Sequence, residues 1–356
     1  MRVRYRRLAV AFLIVYLVLS GYAGYKLFQN LFKNDNVHKS SFMWSGSNMI
    51  ISGQVPSKQK VWDFSLDESS NQDSPDTESV VRFTVEIWGK AAIGLYLWQH
   101  IFEADLVEKM SGVWNYGVKQ IKDIQFRYRS GPGVIPEKVP KDVQNLVLVL
   151  NGREQSKIDF ARTWLDYLPN FGQLKNIAMV LLGNESCDND WIKPYLATNG
   201  GRVQFVFIVY DSPDVDDYNF YQWPLGVATW WPAETPESQA DYIHALLQSD
   251  YTLCPVGVNS ECYRIYEAMS YGSIPVIEDQ PAAGHCSTTP YRLLKQHHAP
   301  VLFIKHWSEL RQVLLDSKTS SDIISKRQDV LEWYVYFRRK MKDRFVDVIR
   351  KRFFGL

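Results

Sequence analysis

SDYTLCPVGVNSECYRIYEAMSYGSIPVI, residues Ser249 to Ile277, packs a strand, a loop, a helix and a second strand into 29 residues. Tyr251–Cys254 is a short apolar run, and the following Pro-Val-Gly-Val breaks it. Ser260 stands where an N-cap belongs, ahead of a helical run Glu261–Tyr271 that Gly272 terminates before the apolar Ile274–Ile277. A strand, a crossover helix and a returning strand form a βαβ unit of a parallel sheet.

The same grammar runs through the rest of the body. Asn145–Leu150 (NLVLVL), Ile177–Leu182 (IAMVLL) and Val203–Val209 (VQFVFIV) are continuous apolar runs, the mark of strands buried on both faces. Gln155–Tyr167 has helical spacing between the first two. Val81–Trp88 alternates like a strand, and Ala91–Phe102 reads as an aromatic amphipathic helix. Further on come a helix at Ser238–Gln248, a strand at Val301–Ile304 and a basic-aromatic helix or helix pair from Asp322 to Phe353. The expected fold is α/β: two Rossmann-like halves, 81–229 and 230–318, with a cleft between them and a C-terminal helical segment, 319–356. Ligands in such sheets sit beyond the carboxyl ends of the strands.

Composition agrees with a globular body and excludes other classes. Twenty Gly, 16 Pro and 14% aromatics do not describe collagen, coiled coil or disorder. The net charge of +1 calls for no nucleic acid. That balance hides a polarity: residues 1–7 carry four Arg, and 337–356 carry eight basic against two acidic groups. With +4 and +6 at the ends, the rest nets −9.

Leu8 to Tyr25 is 18 residues without a charge, extended by Leu27, Phe28 and Leu31, behind an Arg-rich 1–7. This reads as a signal anchor over 8–32, with the N-terminus cytosolic and the body lumenal. A cleaved signal peptide ending near Gly21-Tyr22-Ala23 is the alternative. Residues 33–80, rich in Ser, Asn, Asp and Gln, read as a flexible stem. In the oxidising compartment that follows, Cys187, Cys254, Cys262 and Cys286 allow up to two disulfides, in three connectivities. Cys and His spacing suits no structural metal. Asp214-Val215-Asp216 leaves open a metal-dependent transferase of another fold, with Mn²⁺ on a sugar diphosphate.

Candidate site residues fall at strand ends. The loop holding Gly257 and the N-terminus of the next helix offer N–H groups to a diphosphate. Ser260, Arg264 and Glu267 are spaced i, i+4, i+7 along one stripe; Arg264 would add charge, and Glu267 would accept from a ribose. An Arg264–Glu267 salt bridge is the plainer reading. The three apolar strands deliver Asn151-Gly152-Arg153, Gly183-Asn184-Glu185 and Tyr210-Asp211-Ser212 to one rim. Arg153 suits an anionic ligand; Glu185 and Asp211 are candidate bases. Polar turn residues account for the same cluster without function. Asn184-Glu185-Ser186 is also the chain's one glycosylation sequon, a role that competes with a place in the cleft.

The Ser249–Ile277 segment resembles the nucleotide-sugar signature of the exostosin-type glycosyltransferases, type II Golgi proteins of GT-B fold. IWGKAAIGLYLWQHIFE (Ile87–Glu103), LVLNGRE (Leu148–Glu154), VLLGNESCDNDW (Val180–Trp191), Tyr210–Pro213 and QWPLGVAT (Gln222–Thr229) resemble the branch of that family that transfers xylose. The resemblance runs from about residue 81 to the end. It implies inverting transfer from UDP-xylose, without a metal, to ribitol 5-phosphate on the O-mannosyl glycan of dystroglycan. Ser260, Arg264, Glu267 and Gly257 would hold UDP, Arg153 and Asn151 the acceptor, and Asp211 or Glu185 would be the base. It also implies a Golgi membrane setting and neighbours such as fukutin-type transferases. One departure stands out: Thr229 is followed at once by Trp230-Trp231-Pro232, where the family has a block with an Arg-bearing strand and loop. The second half, 89 residues against 149 in the first, is short for a nucleotide-binding Rossmann half. A non-catalytic or impaired subunit of a Golgi complex is the alternative it leaves open.

Overall fold

The computed structural model describes residues 80–110, 112–229, 235–257, 260–280, 291–315 and 320–356, the side chains of Ser320 and Ser321 excepted. The expected anchor at 8–32 and all but the last residue of the stem lie outside them. Among the described residues no helix is long and apolar enough to cross a membrane.

The first sheet is built from β1 (Phe83–Gly89), β2 (Val107–Lys109), β3 (Trp114–Ile121), β4 (Ile124–Ser130), β5 (Asn145–Asn151), β6 (Asn176–Leu182), β7 (Phe205–Val209) and β8 (Phe220–Trp223). Its order is β2-β3-β4-β1-β5-β6-β7-β8. From β4 to β8 every pairing is parallel, and β2–β3–β4 is an antiparallel edge. The three apolar runs are β5, β6 and β7, and alternation along them fills two cores. Val147, Val149, Val180 and Phe207 face one; Leu146, Leu148, Met179 and Ile208 face the other. α2 (Gln155–Tyr167) covers the second face with Ala161, Trp164 and Leu165.

The expected helix at Ala91–Phe102 is shorter and distorted. α1 (Ile93–Leu95) passes into a π-helical stretch, Tyr96–Ile101. Its rings are held by specific neighbours: Trp98 stacks on Tyr128 at 5.2 Å and donates to the Asp105 carbonyl at 2.9 Å. Such π segments persist where side-chain packing over-determines the backbone.

The second sheet, among the described residues, has three parallel strands in the order β11 (Leu302–Ile304), β10 (Ile274–Glu278), β9 (Tyr251–Cys254). α3 (Pro236–Gln248), with a Thr235–Ser238 capping box, leads into β9; α4 (Tyr263–Ser270) links β9 to β10. α5 (Arg292–Gln296) and α6 (Leu310–Leu315) flank β11. Gly272, at φ +71°, ends α4 as expected, in a conformation that glycine adopts without strain.

The C-terminal segment is a single helix, α7 (Ser320–Phe354), of 35 residues. Val330, Tyr334, Phe337, Met341, Phe345, Ile349 and Phe353 recur every three or four positions and are buried. Phe345 packs among Phe102, Phe126, Phe207 and Trp223 of the first half; Tyr334 and Phe337 pack near Tyr266 of α4. Its cations meet the acidic body: Arg344 pairs with Asp217, Arg350 with Asp123 and Arg338 with Glu103. The basic charge of the C-terminal segment is thus met within the fold.

Candidate active site

The carboxyl ends of the first sheet's strands meet α4 and α5 along a seam closed by three carboxylates. Asp211, just after β7, grips Arg292 at the start of α5 through two contacts, Oδ2 to Nε at 3.1 Å and Oδ1 to Nη2 at 3.0 Å. Asp211 is only 3% exposed, and burial pushes its carboxyl above the ordinary range although Arg292 pulls the other way. Beyond β8, the Leu225 N–H donates to Glu261 at 3.1 Å, and the Tyr266 hydroxyl donates to the same oxygen. Glu261 is equally buried, and burial pushes its carboxyl up to about 7. Three residues on, the Ala228 N–H donates to Glu267 at 3.2 Å, and the Tyr242 hydroxyl donates to its other oxygen at 2.7 Å. Gly226 threads this seam at φ +74°, where a Cβ would lie 2.3 Å from the Tyr96 ring. Only glycine fits there.

A second cluster forms at the ends of β5 and β6. Arg153 pairs with Glu185, and the Asn151 carboxamide oxygen accepts the Arg153 N–H at 3.0 Å. The Asn184 amide donates to the Arg153 carbonyl at 3.2 Å, and its oxygen accepts the Ser186 N–H at 2.7 Å. The sequon side chain is therefore drawn into the Arg153 loop. Strand order reverses between β1 and β5, which makes this rim the switch point of the sheet. Lys90, following β1, lies there as well. Its ammonium donates to the Gly131 carbonyl at 3.1 Å and sits 5.8 Å from the Phe160 ring, and burial lowers its pKa. No carboxylate pairs with it among the described residues.

The structure redraws the nucleotide stripe. The N-cap of α4 is Cys262, two residues beyond Ser260. Ser260 is fully buried, and its hydroxyl donates to the Gln280 carbonyl at 3.0 Å, so it neither caps the helix nor lies on a stripe with Arg264. A tertiary acceptor outcompetes the local one. Gly257 is exposed in the loop after β9, and Arg264 is exposed, with one guanidinium nitrogen 3.4 Å from the Leu253 carbonyl. Glu267 turns to Ala228 and Tyr242, and no Arg264–Glu267 ion pair occurs among the described residues. Of the two candidate bases, Asp211 is committed to Arg292, whereas Glu185 is held by a half-exposed Arg153.

The Asp-Val-Asp segment is engaged in turn structure. Asp216 accepts from the Tyr218, Asn219 and Phe220 N–H groups, and Asp214 pairs with Lys193 at 3.1 Å. Cys187 is disulfide-bonded, while Cys254 and Cys262 are free thiols. Glu261, Arg292 and Lys90 were not singled out from sequence, since their partners lie across the fold. The apolar run that β8 ends would have pointed to the Leu225–Ala228 loop.

Residues 85–224 match the RXYLT1 N-terminal domain, and residues 218–354 match the RXYLT1 C-terminal domain. The ribitol-5-phosphate xylosyltransferase 1 of Danio rerio is 38% identical over 437 residues, covering 100% of this chain and 100% of the relative. That span exceeds the 356 residues present, so the alignment crosses positions with no counterpart here. The protein of the same name from Homo sapiens is 42% identical over 346 residues, 78% of each chain.

Proposed function

Because this chain belongs to the RXYLT1 family of glycosyltransferases, we propose that it transfers xylose from UDP-xylose, with inversion, to ribitol 5-phosphate on the O-mannosyl glycan of dystroglycan. The chain is a xylosyltransferase; the donor, the glycan and the setting are the proposal. In that setting it is a type II Golgi membrane protein, anchored by residues 8–32 and working beside other enzymes of the same glycan, such as fukutin-type transferases. The two sheets act as a GT-B pair, with 81–229 on the acceptor side and 230–318 on the nucleotide side.

The observation that supports the reading is the seam itself, where strand ends of one sheet meet Glu261 and Glu267, just before and within α4, and Asp211 meets Arg292 at the start of α5. UDP lies against α4, its diphosphate near the first-turn N–H groups, Gly257 and Arg264, its ribose near Glu267. The donor is held without a metal. The acceptor phosphate binds at the switch point between Arg153 and Lys90. Arg153 then exchanges Glu185 for the phosphate. The released Glu185 takes the proton of the attacking ribitol hydroxyl while UDP departs. Asp211 serves as a positioning residue through Arg292.

One observation favours a second reading, a non-catalytic or impaired subunit: the nucleotide side shows only three strands among the described residues, with β9 at the edge. Incubating the purified chain with UDP-xylose and a ribitol-phosphate acceptor decides between them. Xylosylated product that forms equally in EDTA supports the metal-free transferase. Folded protein that binds the acceptor but makes no product supports the subunit.

A further inference from the structure

Two thiols stand on either side of the proposed diphosphate loop. Cys254 ends β9 and is fully buried in the core; Cys262 is the N-cap of α4, half-buried and packed against that same core. Seven residues separate them in sequence. The Cys254 thiol donates to the Thr252 carbonyl at 3.6 Å and lies against the Cys262 sulfur, which backbone N–H groups of Arg264 and Ile265 also face. Contact with the Cys254 side chain and the backbone N–H groups hold the Cys262 thiol below its ordinary range, and the same contact with burial drives Cys254 up. Neither thiol has a part in the transfer chemistry, and Cys187 already takes part in a disulfide.

We propose that Cys254 and Cys262 are a reversible redox pair, closing into an intrachain disulfide that ties the end of β9 to the first turn of α4 and so tunes the donor site. The oxidant is a low-molecular-weight disulfide. The Cys262 thiolate attacks one of its sulfurs, the small molecule's S–S bond breaks, and one thiolate leaves. Cys254 then gives its proton to water, and its thiolate attacks the Cys262 sulfur of the mixed disulfide, expelling the second thiolate. Two protein thiols are oxidised and one small disulfide is reduced to two thiols. Accessibility sets the order: the half-buried Cys262 meets the oxidant, and the buried Cys254 resolves it.

The consequence for the donor rests on the UDP reading above; the disulfide itself does not. In the reduced pair a thiolate occupies the helix N-terminus that a diphosphate would use. Oxidation removes that charge, and the short covalent ring preorganises the loop.

The test equilibrates the full chain with oxidised glutathione or with dithiothreitol, maps the cysteines by alkylation and mass spectrometry, and measures UDP binding by calorimetry. Oxidised protein should yield a Cys254–Cys262 cross-linked peptide and bind UDP about fivefold more tightly. Cys254→Ala and Cys262→Ser keep only the Cys187 disulfide, so any change of UDP affinity between the buffers in them reports that other bond and is subtracted; the fivefold difference should be absent from both variants. Full alkylation of both thiols after oxidation overturns the pair. A disulfide with unchanged UDP affinity overturns the tuning. A disulfide with UDP bound in neither buffer overturns the donor reading and leaves the redox pair standing.

Discussion

The two sheets bury their strands to different degrees. In the first, every residue of β7 and all of β5 between Leu146 and Leu150 are buried, with helices α2 and α7 on opposite faces. In the second, β9 alternates between buried and exposed, and Leu253 is 46% open to solvent at the sheet edge. Hydrophobic burial scales with area removed from water. The first sheet therefore carries the stability, and the second, poorer in core, is held to it through α7 and the carboxylate seam. The division suits the arrangement proposed above, with the acceptor on the first sheet's side and the donor on the second's.

The contrast can be broken at its strongest point first. Phe207→Ala removes a ring packed against Tyr221, Trp223 and Phe345 and should cost about 3–5 kcal/mol in chemical denaturation. Arg292→Ala leaves buried Asp211 without its cation and should cost about 2–4 kcal/mol, with the solvent-facing part of Arg292 moderating the loss. An unchanged midpoint would mean that the seam does not hold the second sheet.

Protonation sharpens the same comparison. Glu261 has its carboxyl raised from 4.5 to about 7 by burial. The folded state thus holds this proton more tightly, and the group's stabilisation is full below pH 4.5 and lost as pH rises through 7. Asp211 is shifted in the same direction. Between pH 5 and 8 the chain should lose about 1–3 kcal/mol that Glu261→Gln does not lose. Parallel stability curves for the two proteins would remove Glu261 from the seam.

Glu267→Ala gives up bonds to Ala228 and Tyr242 as well as the proposed ribose contact, and should weaken UDP binding about tenfold, or about 1.4 kcal/mol, by calorimetry. Undiminished UDP affinity would confine Glu267 to its structural bonds. The smallest effect is expected at the open edge: Leu253→Lys should shift stability by less than about 0.5 kcal/mol. A larger loss would show that β9 is covered.

The buried strands were legible because a parallel strand covered on both faces has no polar residue to spare, which makes β5, β6 and β7 visible as plain apolar runs. The β2–β3 hairpin escaped that test, since β3 and β4 alternate and β2 is wholly exposed. The π-helical turn of Tyr96–Ile101 depends on rings from β4, and local periodicity cannot encode it. The strand-end positions of the candidate residues were legible, and their pairings were not. Arg153, Glu185 and Asp211 were found at strand ends, but Asp211 meets a residue 81 positions away and Glu261 one 36 positions away. Ser260 reads as a cap because capping rules are local, whereas its hydroxyl donates to the Gln280 carbonyl.

α7 has a consequence in time. It follows both sheets along the chain, yet its Phe345 completes the first core while its Tyr334 and Phe337 reach the second half. Until α7 has been synthesised, Phe102, Phe126, Phe207 and Trp223 lack one of their covering rings, and the nascent body stays a client for chaperones. A stop codon within this helix ahead of Tyr334 would strip covering rings from both halves at once, and quality control would treat the product as unfinished.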